Sequence, residues 1–296
     1  MSINCPNSKC DVYKTQYSLV KDGTYFRKND SRKVQRYKCQ SCNSRFSAVT
    51  GTLEANQKKR RVNEMVGNLL CSSVSMRRIS LILNIHRTTV SRKLTYLAKK
   101  SELHQEKYLK SLEQTPVRHI QIDDLITIEH TKLKPLTISV AVDAENRRIL
   151  GAEVKPIAAF GHLSEISKRK YGKRVSKHKE GLDLLFTKIY KSISKNALIE
   201  SDEHKFYPQF IAKYLPGAIH STYKSEKGCV AGQGELKKIH SDPIFAINHT
   251  LAMLRANINR LVRRSWCTTK DPEMLTKHIQ IYIHFHNTKL IRKSPC

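Results

Sequence analysis

Four cysteines in two close pairs restrict what the first part of this chain can become. Four residues separate Cys5 from Cys10, and two separate Cys39 from Cys42. Two such turns can bring four thiolates to one point, and a tetrahedron of thiolates suits Zn²⁺ with Zn–S distances of ~2.3 Å. Paired cysteines of this kind read as metal ligands before disulfides. A piece of about 45 residues has too little interior to fold on apolar burial alone, so bound metal would supply folding energy. Tyr, Val and Thr between the pairs suit a small sheet. Four sulfur ligands leave no open coordination position, so the role expected is structural. Cys71, Cys229, Cys267 and Cys296 are scattered.

Charge limits the partners. Lys and Arg number 54 against 25 Asp and Glu, a net charge of +29. A compact body with this excess repels itself unless a polyanion offsets it, and nucleic acid is the first candidate. A membrane surface is the second, but no long amphipathic terminal helix supports it. The basic residues run through the whole chain, which implies a long footprint. The 296 residues suggest about two domains, and 39% hydrophobic with 27% charged residues is a globular composition. No stretch approaches the ~18 apolar residues of a membrane span. MSINCPNSKC has no apolar signal core, so a cytoplasmic location is expected.

Residues 1–50 are read as the zinc-bound unit, 51–117 as a helical DNA-binding domain with its linker, and 118–296 as a third, α/β domain. SMRRISLILNIHRTTVSRKLTYLAKK predicts a helix-turn-helix. Ile79, Ile82 and Leu83 form the first apolar face, Asn84 and Ile85 the turn, and Val90, Leu94 and Leu97 the second face. Arg87, Thr88, Thr89, Ser91, Arg92 and Lys93 are expected on the exposed side of the second helix. Their side chains suit base edges and phosphates in a major groove. Residues 101–117 read as a charged connecting helix or linker. From His119 the period changes: HIQIDDLITIEH, LTISVAVD and RRILGAEV predict three consecutive strands. A basic insertion at about 156–180 follows, then a helix, the strand ALIESD, the helix FYPQFIAKYL and the strand AIHST. Two terminal helices are expected, PIFAINHTLAMLRANINRLVRRSW and a second one capped by Asp271 with Pro272 in its first turn.

In so basic a chain the acids stand out. Asp123 and Asp124 lie in the first strand of the meander, and Asp202 ends ALIESD. An acid in the first strand and another at the end of the strand after a helix match a ribonuclease-H-like arrangement. There the two strands are neighbours, and their carboxylates can share divalent metal for phosphodiester chemistry. Asp123 and Asp124 face opposite sides of the strand, and parity alone does not choose between them.

These segments together resemble insertion-sequence transposases of the DDE class, in particular those of the IS-one group and its relatives. YKCQSC, the helix-turn-helix, QIDDL, ESDEHKFYP and INHTLAMLRANINRLVRRSWCTTK carry the resemblance over nearly the whole chain. It implies an α+β multidomain protein: zinc ribbon, helix-turn-helix, then a ribonuclease-H-like catalytic domain with C-terminal helices. It makes Asp123 and Asp202 the first and second catalytic acids, holding Mg²⁺ or Mn²⁺. Where the IS-one type has Glu this chain has Asn248, and no acid occurs from Pro243 to Lys270. Some relatives of the group carry Asn at this position. Asp242 at the helix start and Glu235 are the other candidates for the third ligand. His249 is either a contact to the scissile phosphate or a packed helix histidine.

The implied activity cuts DNA at the element's ends and joins the 3′-hydroxyl to target DNA. Its partners would be double-stranded DNA, both terminal inverted repeats and target, and further copies of the chain in a dimer or larger assembly. The expected location is the bacterial nucleoid. The rivals are an inactive, transposase-derived DNA-binding protein and a metal-dependent nuclease without strand transfer. Lys168, Arg169, Lys170, Lys173, Arg174, Lys177 and Lys179 fall in a twelve-residue stretch without an acid, and a phosphate track there is expected through Lys170, Lys173 and Arg174. Arg255, Arg260, Arg263 and Arg264 are expected to divide between DNA contacts and packing.

Overall fold

The computed structural model describes residues 3–13, 18–28, 32–55, 57–224, 242–262 and 266–291. It is a mixed α/β structure divided into two compact units, Met1–Met65 and Val66–Cys296. No helix among the described residues is long and apolar enough to cross a membrane.

The first unit holds a three-stranded antiparallel sheet of β1 (Leu19–Arg27), β2 (Arg32–Cys39) and β3 (Arg45–Ser47). Cys39 closes β2, and its N–H donates to the Ser44 carbonyl at 3.0 Å across a turn in which Asn43 takes φ 58°. Asn tolerates that left-handed backbone better than most residues. The buried cluster consists of Cys5, Cys10, Cys39 and Phe46. Such a core is too small to hold the unit unaided.

The second unit begins within α1 (Asn63–Leu70), which buries Val66 and Leu70. The helix pair follows as α2 (Met76–Ile82) and α3 (Arg87–Leu112). Ser75 caps α2 by accepting from the Arg78 N–H, His86 caps α3 through a ring nitrogen, and Asn84 makes the turn at φ 47°. Ile79, Ile85, Val90 and Leu94 are buried between the helices, but Ile82 is 59% exposed. Helix α2 ends at Ile82, so Ile85 in the turn takes the inward place the periodicity gave to Ile82. Residues 101–112 continue α3 without a break, since they contain neither Gly nor Pro. The far half of α3 docks on the sheet: Gln105 Nε2 donates to the carbonyls of Ile149 at 3.1 Å and Leu150 at 2.9 Å. The helix pair thus shares a compact unit with the sheet, where the sequence suggests a division near 117.

The sheet comprises β4 (Val117–Glu129), β5 (Thr131–Asp143), β6 (Ile149–Pro156), β7 (Ile193–Asp202) and β8 (Ile219–Tyr223), in the order β6-β5-β4-β7-β8. β4, β5 and β6 form an antiparallel meander; β7 runs parallel to β4, and β8 to β7. Between β6 and β7 lie α4 (Leu163–Tyr171) and α5 (His178–Ile189), and α6 (Tyr207–Tyr214) precedes β8. Leu182, Leu185, Phe186 and Phe210 pack against Ile120, Ile122 and Ile199, so α5 and α6 cover the face that Asp124 shares by parity. Gly151 permits the close approach: a Cβ there would stand 2.8 Å from Leu185 Cδ1.

On the Asp123 face lies α7 (Phe245–Asn257), held by Gln121. The Gln121 side chain accepts from the Ile247 N–H at 3.0 Å and donates to the Pro243 carbonyl at 3.0 Å. Helix α7 ends at Asn257, short of the span expected to reach Trp266, because Ile258 turns extended and Asn259 donates to the Ser73 carbonyl. Finally α8 (Pro272–Phe285), capped by Asp271 as expected, packs along α3 and β6.

Candidate functional site

One ligand atom from each of Cys5, Cys10, Cys39 and Cys42 lies within 4.8 Å of the others. Cys5 Sγ stands 3.6 Å from Cys42 Sγ, and Cys10 Sγ 3.8 Å from Cys39 Sγ. A tetrahedron with Zn–S of ~2.3 Å has edges of about 3.8 Å. All four thiols are free of disulfides. The Ser44 hydroxyl and N–H beside Cys42 pull its thiol down to about 6, toward the thiolate a metal requires, whereas burial and neighbouring thiols raise Cys5 and Cys10. The cluster is compatible with a structural zinc ion.

Asp123 and Asp202 come together on the sheet. Ile122 pairs with Ser201 in the parallel register of β4 and β7, so the two aspartates stand one step beyond that pair. Both lie on the α7 face: Asp202 shares parity with Glu200, and Glu200 accepts from Gln121 Nε2 at 2.8 Å. Asp123 accepts from the Asp124 N–H at 2.6 Å, and Asp202 from the His204 N–H at 3.1 Å. Burial, with the charges of Asp202 and Asp124, pushes the Asp123 carboxyl up to about 7 against the opposing pull of Arg255. Burial also raises Asp202, helped by the charges of Asp124 and Glu203. Two neighbouring carboxylates that resist ionisation are suited to hold a cation or to share a proton.

Parity left Asp124 as an alternative, and its surroundings give it a different task. It accepts hydrogen bonds from His178 Nε2 at 2.8 Å, Tyr207 Oη at 2.7 Å, Thr137 Oγ1 at 3.2 Å and Ser139 Oγ. Burial alone would raise Asp124, but His178, Ser139 and Tyr207 outweigh it and hold the carboxyl below its ordinary value. The His204 ring lies 4.8 Å from the His178 ring, centroid to centroid. Asp124, His178 and His204 offer ligand atoms within 4.8 Å of one another, a spacing that could also hold a metal ion. Nothing in the sequence points to this group, because His178 and His204 lie 54 and 80 residues beyond Asp124 and no local spacing links them. Tyr207→Phe is expected to lower unfolding stability by about 1–3 kcal/mol, since it leaves a buried carboxylate one donor short. Denaturant unfolding at neutral pH measures the loss.

On α7 the side chains divide. Asn248 donates through Nδ2 to Asp242 Oδ2 at 2.9 Å, and Asp242 Oδ1 also accepts from the Ile244 N–H. The two leading candidates for a third ligand are therefore a bonded pair. Glu235 lies outside the described residues. His249 is engaged by Arg147, whose Nη1 is 3.3 Å from His249 Nδ1, and its ring lies 5.5 Å from that of Phe245. Arg255, two turns after Asn248 on the same side of the helix, is the basic residue that acts on Asp123.

Of the residues expected to face DNA, Thr88 and Arg92 are exposed and Ser91 is half-buried. Lys93 departs from its expected place: it is 3% exposed, with Nζ 6.0 Å from the Tyr96 ring. It falls between Val90 and Leu94 on the inward side of α3, so its stem packs in the core. Lys170 and Lys173 are exposed. Arg174 is not, because its Nη2 is 2.9 Å from Glu129 Oε2. The basic stretch lacks acids in sequence, but Glu129, Glu165 and Glu180 meet Arg174, Lys168 and Lys177 in space. Arg263 and Arg264 lie outside the described residues. No protein-family model matches this chain, and no curated protein does.

Proposed function

We propose that the chain is a DNA transposase of the DDE type, cutting phosphodiester bonds at the ends of a mobile element and joining the freed 3′-hydroxyl to target DNA. The observation that carries this reading is the meeting of Asp123 and Asp202, both half-buried on one face, one step beyond a paired position of parallel strands. The order β6-β5-β4-β7-β8, with an antiparallel meander and two parallel strands, supports a ribonuclease-H-like domain. The net charge of +29 supports a DNA partner.

Mg²⁺ or Mn²⁺ fits the donor set. Asp123 and Asp202 are carboxylates with oxygen lone pairs beyond the backbone N–H that each accepts, and hard cations prefer such oxygens. When bound, divalent metal supplies an activated water or hydroxyl and offsets charge on the leaving oxygen. Asn248 would complete the set through its side-chain oxygen, with its nitrogen anchored on Asp242. Arg255 would steady the negative charge near Asp123, and Gln121 fixes α7 over the site. The Cys cluster would hold a zinc ribbon and α3 a recognition helix for the terminal repeats. The assembly would be a dimer or larger, so that two ends are processed together.

A second reading, an inactive DNA-binding derivative, is favoured by one observation: the third position brings no charge, and its amide is engaged by Asp242. An assay with Mg²⁺ on DNA carrying the inverted repeats that flank the coding region separates the readings. Cleavage with joining supports the transposase, cleavage alone a nuclease, and binding without cleavage the derivative. Lys170→Ala with Lys173→Ala is expected to weaken binding to all sequences alike. It should also lower the slope of log affinity against log salt by about 2, one for each released phosphate contact. An unaltered slope would remove these lysines from the DNA path.

A further inference from the structure

We propose that a cavity between the helix pair and the C-terminal segment binds one unpaired nucleotide of a DNA strand, its phosphate on arginine side chains and its base on Trp266. The cavity measures about 470 Å³, within the ~300–1,000 Å³ range of small-ligand pockets. Arg77 and Arg87 line it from the helix pair, and Arg260, Lys270, Trp266 and His278 from the other side. Among the described residues, no carboxylate lines it. Arg260 donates to Thr269 Oγ1 at 3.3 Å, and Asp271 is the acid that acts on it. Four cations around a hollow whose described lining holds no anion suit phosphate.

Phosphate alone leaves two features unused. Trp266, the one tryptophan of the chain, is 96% exposed at the cavity. A bare indole beside cations is a stacking platform for a base. His278, 2% exposed, donates through Nε2 to the Leu70 carbonyl at 2.8 Å, and its Nδ1 has no partner among the described residues. Burial pushes the imidazole down to about 4, so at neutral pH Nδ1 is a bare acceptor. A phosphodiester anion has no proton to offer it, whereas the amino or imino group of a base that entered the cavity would. The walls are tied together: the Ser73 N–H donates to the Asn257 carbonyl at 2.7 Å, and Asn259 returns a bond to the Ser73 carbonyl at 3.0 Å. Thr88 and Ser91 of α3 also line the cavity, so it adjoins the face read above as DNA-contacting. An unpaired end enters more readily than a paired base, which must first be unstacked.

This inference rests on the DNA-binding part of the proposed function and not on Asp123 or Asp202, so it is tested without added Mg²⁺. The full chain is titrated with a duplex bearing one unpaired terminal adenine, with the blunt duplex, and with dAMP, while Trp266 fluorescence is recorded. The overhang duplex is expected to quench Trp266 and to bind about tenfold tighter than the blunt one, the order of one stacked base. With 2-aminopurine as the overhang, Trp266→Ala should erase that advantage and leave blunt-duplex affinity unchanged; Arg260→Gln should weaken the overhang complex. Quenching by dAMP at equal concentration would support the pocket and assign it to free nucleotides. DNA binding with equal affinities and unchanged fluorescence would overturn the pocket and spare the DNA-binding reading. Absence of any DNA binding would overturn both.

Discussion

Under the proposed activity, Asp123→Asn is expected to lower Mg²⁺-dependent strand cleavage by about a thousandfold or more, with DNA affinity kept. A lost carboxylate ligand removes several kcal/mol of charge stabilisation at phosphorus, and each ~1.4 kcal/mol is tenfold in rate. Asp202→Asn should match it. Stability has the opposite sign. Asp123 ionises near 7 in the fold against an ordinary 3.8, so the folded state prefers its neutral form. Its contribution is fully present below about pH 4 and is lost as pH rises through about 7. The asparagine is never ionised, so without divalent metal the variant should be more stable than the parent by about 4 kcal/mol at pH 8 and indistinguishable near pH 4. Mg²⁺ should raise the melting temperature of the parent, more at pH 8 than at pH 6, and leave the variant unmoved. A parent whose melting ignores Mg²⁺ at pH 8 would remove Asp123 from any metal site.

Cys39→Ser carries the second large effect. A structural zinc in a small domain supplies roughly 10–16 kcal/mol, more than the stability of most domains. The replaced thiolate comes from the end of β2, so both the metal and the sheet edge are affected. Zinc measured on the purified protein should fall from one per chain to none. Residues 1–65 should become sensitive to protease while the second unit keeps its own unfolding transition. Unchanged metal content would end the zinc assignment.

The cysteine cluster was legible because ligand spacing is a local property of the chain. The strands β4, β5 and β6 were legible for the same reason, as apolar alternation survives folding. The choice between Asp123 and Asp124 was not. Helices cover both faces of β4, so neither parity reads as solvent. Tyr207 and His178, which engage Asp124, come from separate helices far along the chain. Lys93 and Arg174 were misjudged because exposure was read from residue type. A long aliphatic stem can be buried with its charge managed at the tip, and Glu129 arrives from the end of another strand. Arg255 looked like one basic residue among many, and only the sheet shows which acid it acts on.

Helix α3 has a mechanical consequence. One rod of 26 residues runs from the cap at His86 to Leu112, and Gln105 clamps its far half to the backbone of β6. The front turns therefore cannot swivel independently of the sheet; they are aimed by it. One residue added midway would rotate the front by about 100° and advance it by about 1.5 Å, whereas seven would nearly restore the heading at a greater reach. The rod works as a ruler with a built-in compass bearing, and its length and phase are constrained together.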